Sequence, residues 1–374
     1  MDDEDRIAEL STLFTFLADR DFRDYSPAYE RVARFMAASP ERLRFVDEAA
    51  APNSRRGRVP VLFHASVHDL TLRHPDTPLA AIFDGADASD EELADAIDEI
   101  VTNHREELVA TMRTRSVQTN EVGRSAAIAL ALAAMGPIDR AISIVEIGPS
   151  AGLNLFLDRW RIDYRRDDTE VATIGPADSP VHLQCELRGP LAPTRFTLPT
   201  ISGRTGVDPS PIDASDPEES RWLRACVWPG VPERPQRLAA ALDVVGADPP
   251  VLVRGDAVTD LAPLVLATDP DTLPVVLATW ALAYISAEGR SAVFDALESI
   301  GAGRDLAFVS LEEPRLTPWL DTPDAREAIH HEAGDGTPTM LGLRVWRNGI
   351  GRSTSLAMAH PHGRWVRWLE SGTD

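Results

Sequence analysis

The segment that decides the fold spans residues 142–155 and reads I-S-I-V-E-I-G-P-S-A-G-L-N-L. Its apolar, β-branched first half predicts a buried strand, and the small residues from Gly148 to Gly152 predict a tight turn that leads into a helix. Such a turn lets a ligand approach the backbone and meet the free N–H groups of the helix. We therefore expect a nucleotide-type binding site at this turn, which also contains Pro149 and Ser150.

Other short apolar runs follow along the chain, at residues 251–253, 274–277 and 306–310. Helical patterns separate them, and this alternation predicts a parallel sheet covered by helices. Two final runs, residues 340–346 and 353–359, flank Asn348-Gly349, a dipeptide that favours the left-handed angles of a tight hairpin. The sequence therefore predicts an α/β fold whose sheet ends in an antiparallel pair.

The first third of the chain has a different pattern. Between Ile7 and Met135 the apolar residues recur mainly at helical spacing, and Gly136-Pro137 ends the last helix of the group. We therefore predict a helical cap domain over residues 1–136 and an α/β domain over residues 137–374.

Composition excludes several classes of function. The chain has 59 acidic and 37 basic residues, a formal charge of −22, so it repels phosphate backbones and anionic bilayers. We expect neither nucleic acid nor membrane as a partner. None of the basic residues is lysine, which excludes Schiff-base and pyridoxal phosphate chemistry and the phosphate-loop lysine.

Cysteine content and the amino terminus indicate the compartment. Cys185 and Cys226 cannot form a disulfide framework or a four-cysteine zinc site, and we expect both to be small core residues. The acidic start over residues 1–5 lacks the features of a secretory signal, and the apolar run at 125–135 is too short to cross a bilayer. These features predict a cytoplasmic protein.

The turn has the spacing acid-x-G-x-S-x-G, with Glu146 as the acid. This spacing resembles motif I of the class I S-adenosylmethionine-dependent methyltransferases, E/D-x-G-x-G-x-G, with Ser150 in place of the middle glycine. The resemblance implies a Rossmann-like, seven-stranded sheet and S-adenosylmethionine as cofactor. It also implies that Glu146, the turn residues and Asn154 contact that cofactor. The alternative is a Rossmann-like turn with no ligand.

Acids after later strands extend the resemblance. Asp208 follows the expected second strand, where the family binds the ribose hydroxyls, and Asp256-Ala257 follows the third, where it meets the adenine amino group. The gap from Gly152 to Asp208 is long, so we expect an insertion at about residues 161–200, and Glu186 is the other candidate for the ribose acid. A turn or helix-capping role is the alternative for Asp208 and Asp256.

A second motif, T-N-E-V-G-R, occupies residues 119–124. On a helix Asn120, Glu121 and Arg124 share one face. Together with G-x-S-A-G-L-N and the closing residues 361–363, the motif resembles an uncharacterised bacterial family, frequent in actinobacteria and grouped with Rossmann-like methyltransferases. We predict methyl transfer to a small molecule or protein. The residues at 120 and 124 would bind this acceptor, and the alternative is an ion pair and cap that joins the two domains.

Further residues near the sheet edge complete the predicted site. Trp280 follows the fourth strand at the carboxyl edge, where open α/β sheets bind ligands, and we expect it to contact the acceptor. Glu121 and Tyr284 are the candidate general bases, although a methyl displacement depends mainly on near-attack geometry.

Three other interpretations stay open. A sensor that binds the nucleoside cofactor without catalysis would have the same pocket. The turn is also a G-x-S-x-G, so Ser150 with His360 or His362 could form a serine hydrolase, although that fold needs strands before the elbow. His64 and His68 have helical spacing for a metal, but we expect a structural role for them.

Overall fold

The computed structural model describes residues 2–23, 25–52, 54–189, 194–230, 233–321, 323, 326 and 339–369. Within these residues the chain packs as two compact units. The first unit consists of Met1–Thr119 and Asp216–Ala239, and the second consists of Asn120–Ser215 and Ala240–Asp374.

The helices follow the predicted helical spacing, and all regular structure described between residues 2 and 119 is helical. Ser89 and Glu92 form a capping box at the start of α6, which explains the acidic helix start there. Among the described helices, none combines the length and the apolar character that a span of the bilayer requires. The α-helices are α1 Asp3–Phe16, α2 Pro27–Ala37, α3 Pro40–Ala49, α4 Val59–Arg73, α5 Pro78–Phe83, α6 Asp90–Asn103, α7 Arg105–Thr114, α8 Ser125–Ala134, α9 Pro217–Ala225, α10 Arg234–Ala247, α11 Ala257–Leu266 and α12 Ala287–Gly303.

The strands of the described chain form one large, mostly parallel sheet. They are β1 Ile142–Ile147, β2 Arg161–Arg166, β3 Thr169–Ile174, β4 His182–Arg188, β5 Ile201–Asp208, β6 Val251–Arg254, β7 Leu273–Thr279, β8 Leu306–Glu312, β9 Thr339–Arg347, β10 Ile350–Ala359 and β11 Trp365–Trp368. Their order is β3-β2-β4-β11-β10-β9-β8-β7-β1-β5-β6. The sheet therefore has eleven strands where we expected seven.

Five neighbouring strands, β6-β5-β1-β7-β8, are all parallel, as the alternation of strands and helices predicts. The hairpin of β9 and β10 is antiparallel and turns at Asn348-Gly349, where both residues have positive φ. The helices α11 and α12 bury apolar side chains against this part of the sheet, with Phe308 and Trp346 in the core. The mixed α/β fold is thus confirmed.

The segment expected to be an insertion is part of the same sheet. β2, β3 and β4 continue it beyond β11, to which β4 is parallel. β4 alternates buried and exposed side chains along its length, which is the pattern of a strand with one covered face. These three strands were not predicted from the sequence.

The division between the units differs from the predicted boundary at 136/137. Residues 120–136 belong to the second unit, because α8 packs on β8 and β9 of the sheet. From Ser125 to Ala133 every residue of α8 is buried, so this helix has no polar face to expose to solvent. The first unit also includes Asp216–Ala239, which the sequence pattern did not separate from the sheet.

Candidate functional site

The carboxyl ends of the five parallel strands bring most of the predicted site residues to one edge of the second unit. β1 pairs with β5 on one side and with β7 on the other, so the chain order reverses at β1. In open α/β sheets ligands bind at such a switch point, outside the carboxyl ends of the strands. The turn after β1 therefore lies at the position where open α/β sheets commonly bind ligands.

The glycine turn, residues 148–152, has the backbone shape that the sequence predicts. Gly148, Ser150 and Gly152 have φ of 66°, 54° and 77°, so the middle position holds a side chain in the left-handed region. Three backbone N–H groups of the turn already donate within the protein: Gly148 N to Val207 O at 2.9 Å, Ser150 N to Asp208 Oδ2 at 2.9 Å and Gly152 N to Pro149 O at 2.7 Å. The turn therefore offers few free donors to an anion.

The element after the turn differs from the expected helix. It is a 3-10 helix of seven residues, Leu153–Arg159, with non-helical backbone angles at Phe156. Asn120 Oδ1 accepts a hydrogen bond from Leu153 N at 3.2 Å, which occupies a donor at the start of this helix. The helix that follows the turn is thus a 3-10 helix, and Asn120 occupies the donor of its first residue.

Asp208 lies at the end of β5, as predicted, but its carboxylate has a structural task. Oδ2 accepts from Ser150 N and Oδ1 accepts from Ser210 N at 2.7 Å, and the residue is 6% exposed. The other candidate for the ribose acid, Glu186, is on β4, which six strands separate from β5. It forms an ion pair with Arg188 at 2.8 Å. Glu186 is therefore excluded from the site around the turn.

Asp256 caps a helix. Its carboxylate accepts from Val258 N at 2.9 Å at the start of α11, whose first residue is the buried Ala257. This is the helix-capping role that the sequence analysis left open beside adenine binding.

Glu146 is the most unusual acid at this edge. It is 1% exposed and lies on β1, the middle one of the five parallel strands. Its described hydrogen-bond donor is Asn154 Nδ2, 3.5 Å from Oε1. Oε2 is buried and has no hydrogen-bond partner among the described residues. Burial raises the pKa of Glu146 to about 7, and Asn154 and Arg124 oppose that shift. The strand thus ends in a carboxyl group that is desolvated and only half satisfied.

Arg124 is the cation whose charge stabilises the ionised form of Glu146. It is 5% exposed and donates to two backbone carbonyl oxygens, Pro361 O at 3.0 Å and Thr279 O at 3.2 Å. Burial lowers the pKa of its guanidinium, and the charges of Glu121 and Glu312 oppose that decrease.

Glu312 was not predicted from the sequence. It ends β8 at 2% exposure, and its Oε1 accepts from Ala281 N at 2.6 Å and Leu282 N at 3.0 Å. Burial raises the pKa of Glu312 to about 7, against the hydrogen bonds and Arg124. An acid at the end of an apolar strand is the signal that could have identified it, because Glu312 ends β8 as Asp208 ends β5. We call Arg124, Glu146 and Glu312 the buried charge cluster.

Trp280 follows β7 and has a φ of 58°, which is uncommon for a bulky side chain. The N–H groups of the next two residues are the ones that Glu312 accepts, so this acid holds the strained turn. Trp280 Nε1 is buried without a described hydrogen-bond partner, and the Arg124 guanidinium lies 5.9 Å from the ring centre. Tyr284, in the following 3-10 turn, is 44% exposed.

The T-N-E-V-G-R motif contacts the closing residues 361–363. A Cβ at Gly123 would overlap the carbonyl oxygen of His362, and one at Gly363 would overlap that of Gly123. Glu121, buried, accepts from Gly123 N at 3.0 Å. The motif is not one continuous helix, because residues 122–124 form a 3-10 turn before α8 begins. This close packing explains both glycines.

The geometry disfavours the hydrolase interpretation. No described strand precedes Ile142, so the serine lies after the first strand of the sheet. His360 Nδ1 accepts from His362 N at 2.9 Å, which leaves the proton of the neutral ring on Nε2. A triad histidine needs the opposite tautomer, with Nε2 free to take the serine proton.

In the first unit, His64 and His68 are structural. His64 Nδ1 contacts Pro60 O at 2.7 Å and His68 Nδ1 contacts Ala225 O at 3.1 Å. Burial lowers both pKa values to about 4, so the rings are neutral. The two cysteines are buried, and burial raises the pKa of Cys185 and of Cys226 to about 12.

Fold and site together define a mixed α/β protein whose mostly parallel sheet carries buried charges at its carboxyl edge. The chain belongs to the family described as "Uncharacterized protein conserved in bacteria (DUF2332)", whose family model matches residues 11–368. The match confirms the predicted relationship to an uncharacterised bacterial family that covers most of the chain. No curated protein matches this chain.

Proposed function

We propose that this protein binds S-adenosylmethionine at the carboxyl end of β1 and transfers its methyl group to a small molecule or protein. The observation that carries the proposal is the buried carboxyl group of Glu146, whose Oε2 has no described hydrogen-bond partner. A buried carboxylate is costly unless a cation or hydrogen bonds satisfy it. S-adenosylmethionine carries two cationic groups, an ammonium and a sulfonium, and supplies an activated methyl group when it is bound.

The surroundings of Glu146 support a small ligand that enters from the edge of the sheet. Gly148, two residues further on, is the exposed member of the glycine turn, and a Cβ there would lie 3.1 Å from Ala281 Cβ. The site also contains Trp280, whose indole N–H lacks a described acceptor. A ligand that accepts from this N–H and pairs with Glu146 would satisfy both groups.

The fit is incomplete on the ribose side of the predicted site. The carboxylates of Asp208 and Asp256 already accept backbone N–H groups, so a ribose or adenine would have to share them. Carboxylate oxygens can accept more than one hydrogen bond. The proposal therefore assigns the cofactor's cationic end to Glu146 and leaves the roles of Asp208 and Asp256 toward the nucleoside as predictions.

For the transfer itself, the chain's residues would orient the acceptor and exclude water. Asn120 and Arg124 are held by backbone contacts, which limits their freedom to reposition. Glu121 and Tyr284 are the candidate general bases that would accept a proton from the methyl acceptor. Glu121 is buried, and Tyr284 is exposed. The acidic charge of −22 favours a small molecule or protein over nucleic acid.

The first test is calorimetry of cofactor binding to the wild type and to Glu146→Gln. We expect S-adenosylmethionine to bind the wild type at micromolar concentration and the variant at least about tenfold more weakly, because the glutamine cannot pair with a cation. S-adenosylhomocysteine lacks the sulfonium charge and should lose less affinity in the variant. The matched control is Glu186→Gln, on the distant strand β4, which should bind as the wild type does.

Proton linkage makes the test specific to Glu146. A cation bound beside the carboxyl group lowers its pKa from the value of about 7 in the free protein. Binding near pH 7 should therefore release protons, and affinity should rise with pH up to about 7 and then level off. Calorimetry in buffers with different ionisation enthalpies measures this release, and wild-type binding without it would contradict the role of Glu146.

Methyl transfer is tested with S-adenosylmethionine labelled in the methyl group. The protein is incubated separately with a metabolite extract and with a protein extract from bacteria, and transfer into either fraction identifies the class of acceptor. Cofactor binding without transfer would support the non-catalytic sensor instead. No binding at millimolar cofactor would refute both.

A further inference from the structure

A polar cluster in the first unit consists of His74, His104 and Glu107. His74 directly follows α4, His104 lies between α6 and α7, and Glu107 is in the first turn of α7. We propose that these three side chains form a binding site for a divalent transition-metal ion of the Zn²⁺ class. This inference is independent of the function proposed for the second unit.

The distances within the cluster are those of a metal site. His104 Nδ1 lies 3.0 Å and His74 Nε2 lies 3.5 Å from the same oxygen, Glu107 Oε1. All three atoms lie within 4.8 Å of one another. Tetrahedral zinc, with bonds of about 2.0–2.1 Å, separates its ligand atoms by about 3.3 Å. Side-chain rotations that separate the stacked rings of His74 and His104 would bring the three atoms to coordination distance.

One ligand atom lacks any other described partner. His74 Nε2 is buried, and its contact with Glu107 Oε1 at 3.5 Å does not have hydrogen-bond geometry. A buried ring nitrogen without a partner is uncommon, because its desolvation is not compensated. The imidazole rings of His74 and His104 are stacked, with centres 3.7 Å apart, so two protonated rings would repel each other. Neutral rings that share a metal ion would avoid that repulsion.

The backbone and a neighbouring arginine hold the ligands in place. Thr77 Oγ1 donates to the backbone oxygen of His74 at 2.8 Å, and Leu108 N donates to the backbone oxygen of His104 at 3.0 Å. Arg73 lies 3.6 Å from Glu107 Oε2, the oxygen that faces away from the histidines, and is itself paired with Asp69 at 2.7 Å. Carboxylate ligands of metals are commonly held by such a second contact.

The donor set indicates the class of ion. Two imidazoles and one carboxylate suit zinc and its neighbours among divalent transition metals, whereas calcium and magnesium prefer oxygen donors. Three protein ligands leave a fourth position of tetrahedral zinc for water or another ligand.

The experiment uses the full chain, made without a histidine tag and freed of metal by chelation. Titration with CoCl₂ should produce the visible absorption bands of tetrahedral cobalt, and added ZnCl₂ should remove them. Competition with a chelating dye gives the Zn²⁺ affinity. We expect His74→Gln, His104→Gln and Glu107→Gln each to weaken Zn²⁺ binding at least about tenfold.

His182→Gln is the matched control. That histidine contacts a carboxylate as well, with Nε2 2.6 Å from Asp163 Oδ2, but its side chain is 46% exposed. Among the described residues, no cluster of three ligands includes it. Its loss should leave Zn²⁺ affinity unchanged. Circular dichroism of each metal-free variant excludes unfolding as the cause. Absent cobalt bands, or equal Zn²⁺ affinity in the wild type and the three variants, would overturn the proposal.

Discussion

The glycine turn and the buried charge cluster occupy the same edge of the sheet but differ in how their polar groups are satisfied. In the turn, donors and acceptors pair within the protein: Asp208 accepts from Ser150 N and from Ser210 N. In the cluster, Glu146 Oε2 lacks a described partner, and burial raises the pKa of Glu146 and of Glu312 to about 7. The polar groups of the recognisable motif are thus largely paired within the protein, whereas the carboxyl group of Glu146 beside it is only partly satisfied.

Removing the acid that holds the turn should have the largest effect. Asp208→Ala removes the acceptor of the buried Ser150 N–H group and of the part-buried Ser210 N–H group. An unsatisfied buried donor costs about 1–3 kcal/mol, so we expect a loss of about 2–5 kcal/mol in the free energy of unfolding. Asp208→Asn keeps an acceptor oxygen and should lose less. Chemical denaturation measures both variants. A loss under about 1 kcal/mol for Asp208→Ala would show that the turn does not depend on this carboxylate.

The second prediction concerns the pH dependence of stability. Glu146 has an ordinary pKa of 4.5 when unfolded and about 7 when folded, so the folded state binds more protons between these values. The raised pKa of Glu146 should therefore lower the free energy of unfolding as pH rises from about 4.5 to 7, by up to about 3 kcal/mol. Glu146→Gln removes this loss, so the variant should gain stability relative to the wild type between pH 5 and pH 8.

Glu92→Gln is the control for that prediction. Hydrogen bonds from Ser89 lower the pKa of Glu92, so the contribution of its carboxylate is already complete at pH 6 and is lost only in acid. The stability difference between this variant and the wild type should therefore stay constant from pH 6 to pH 8. A constant difference for Glu146→Gln as well would contradict the raised pKa of Glu146.

A smaller effect is expected in the turn itself. The left-handed backbone at Ser150 costs a non-glycine residue about 1–2 kcal/mol. Glycine avoids that cost, but it loses more chain entropy on folding, which cancels part of the benefit. Ser150→Gly should therefore be more stable than Ser150→Ala by about 0.5–1 kcal/mol. Thermal denaturation of the pair decides it, since both lack the hydroxyl group. Equal stability would mean that the turn relaxes when the side chain is changed.

The smallest effect is expected at the exposed cap of α11. Asp256→Ala removes the acceptor for Val258 N and should cost about 0.5 kcal/mol, near the low end for an N-cap. Asp256→Asn retains a capping oxygen and should match the wild type in denaturation. If Asp256 also contacts the cofactor, the alanine variant will lose cofactor affinity beyond this change in stability, and calorimetry will separate the two roles.

Much of the fold was predictable because it depends on local patterns. The strand at residues 142–147, the later parallel strands and the Asn348-Gly349 hairpin each have a period or turn chemistry that the sequence carries directly. The strands β2 to β4 were missed, since the face of each strand that is covered depends on the elements that pack beside it. The division at 136/137 differed from that of the structure, because the assignment of α8 depends on its packing partners.

The site was predictable in its location but less so in its chemistry. Glu146, Asp208 and Trp280 were expected at the carboxyl edge from strand order alone, and the structure has them at the ends of β1, β5 and β7. The sequence analysis did not identify Glu312, whose contact with Ala281 forms only when distant segments pack together. The same holds for the cluster of His74, His104 and Glu107. No short sequence motif predicts such long-range contacts.

The sequence by itself determined the α/β class, the glycine turn, the acidic charge and the absence of lysine, since these follow from composition and short-range periodicity. Only the tertiary structure decided which carboxylates are satisfied by backbone donors and which are left buried and under-partnered. That distinction depends on desolvation and on contacts between residues far apart in the chain, such as Asp208 with Ser150 and Glu312 with Ala281. Burial is a property of the packed molecule, and it separates structural acids from those available to a ligand.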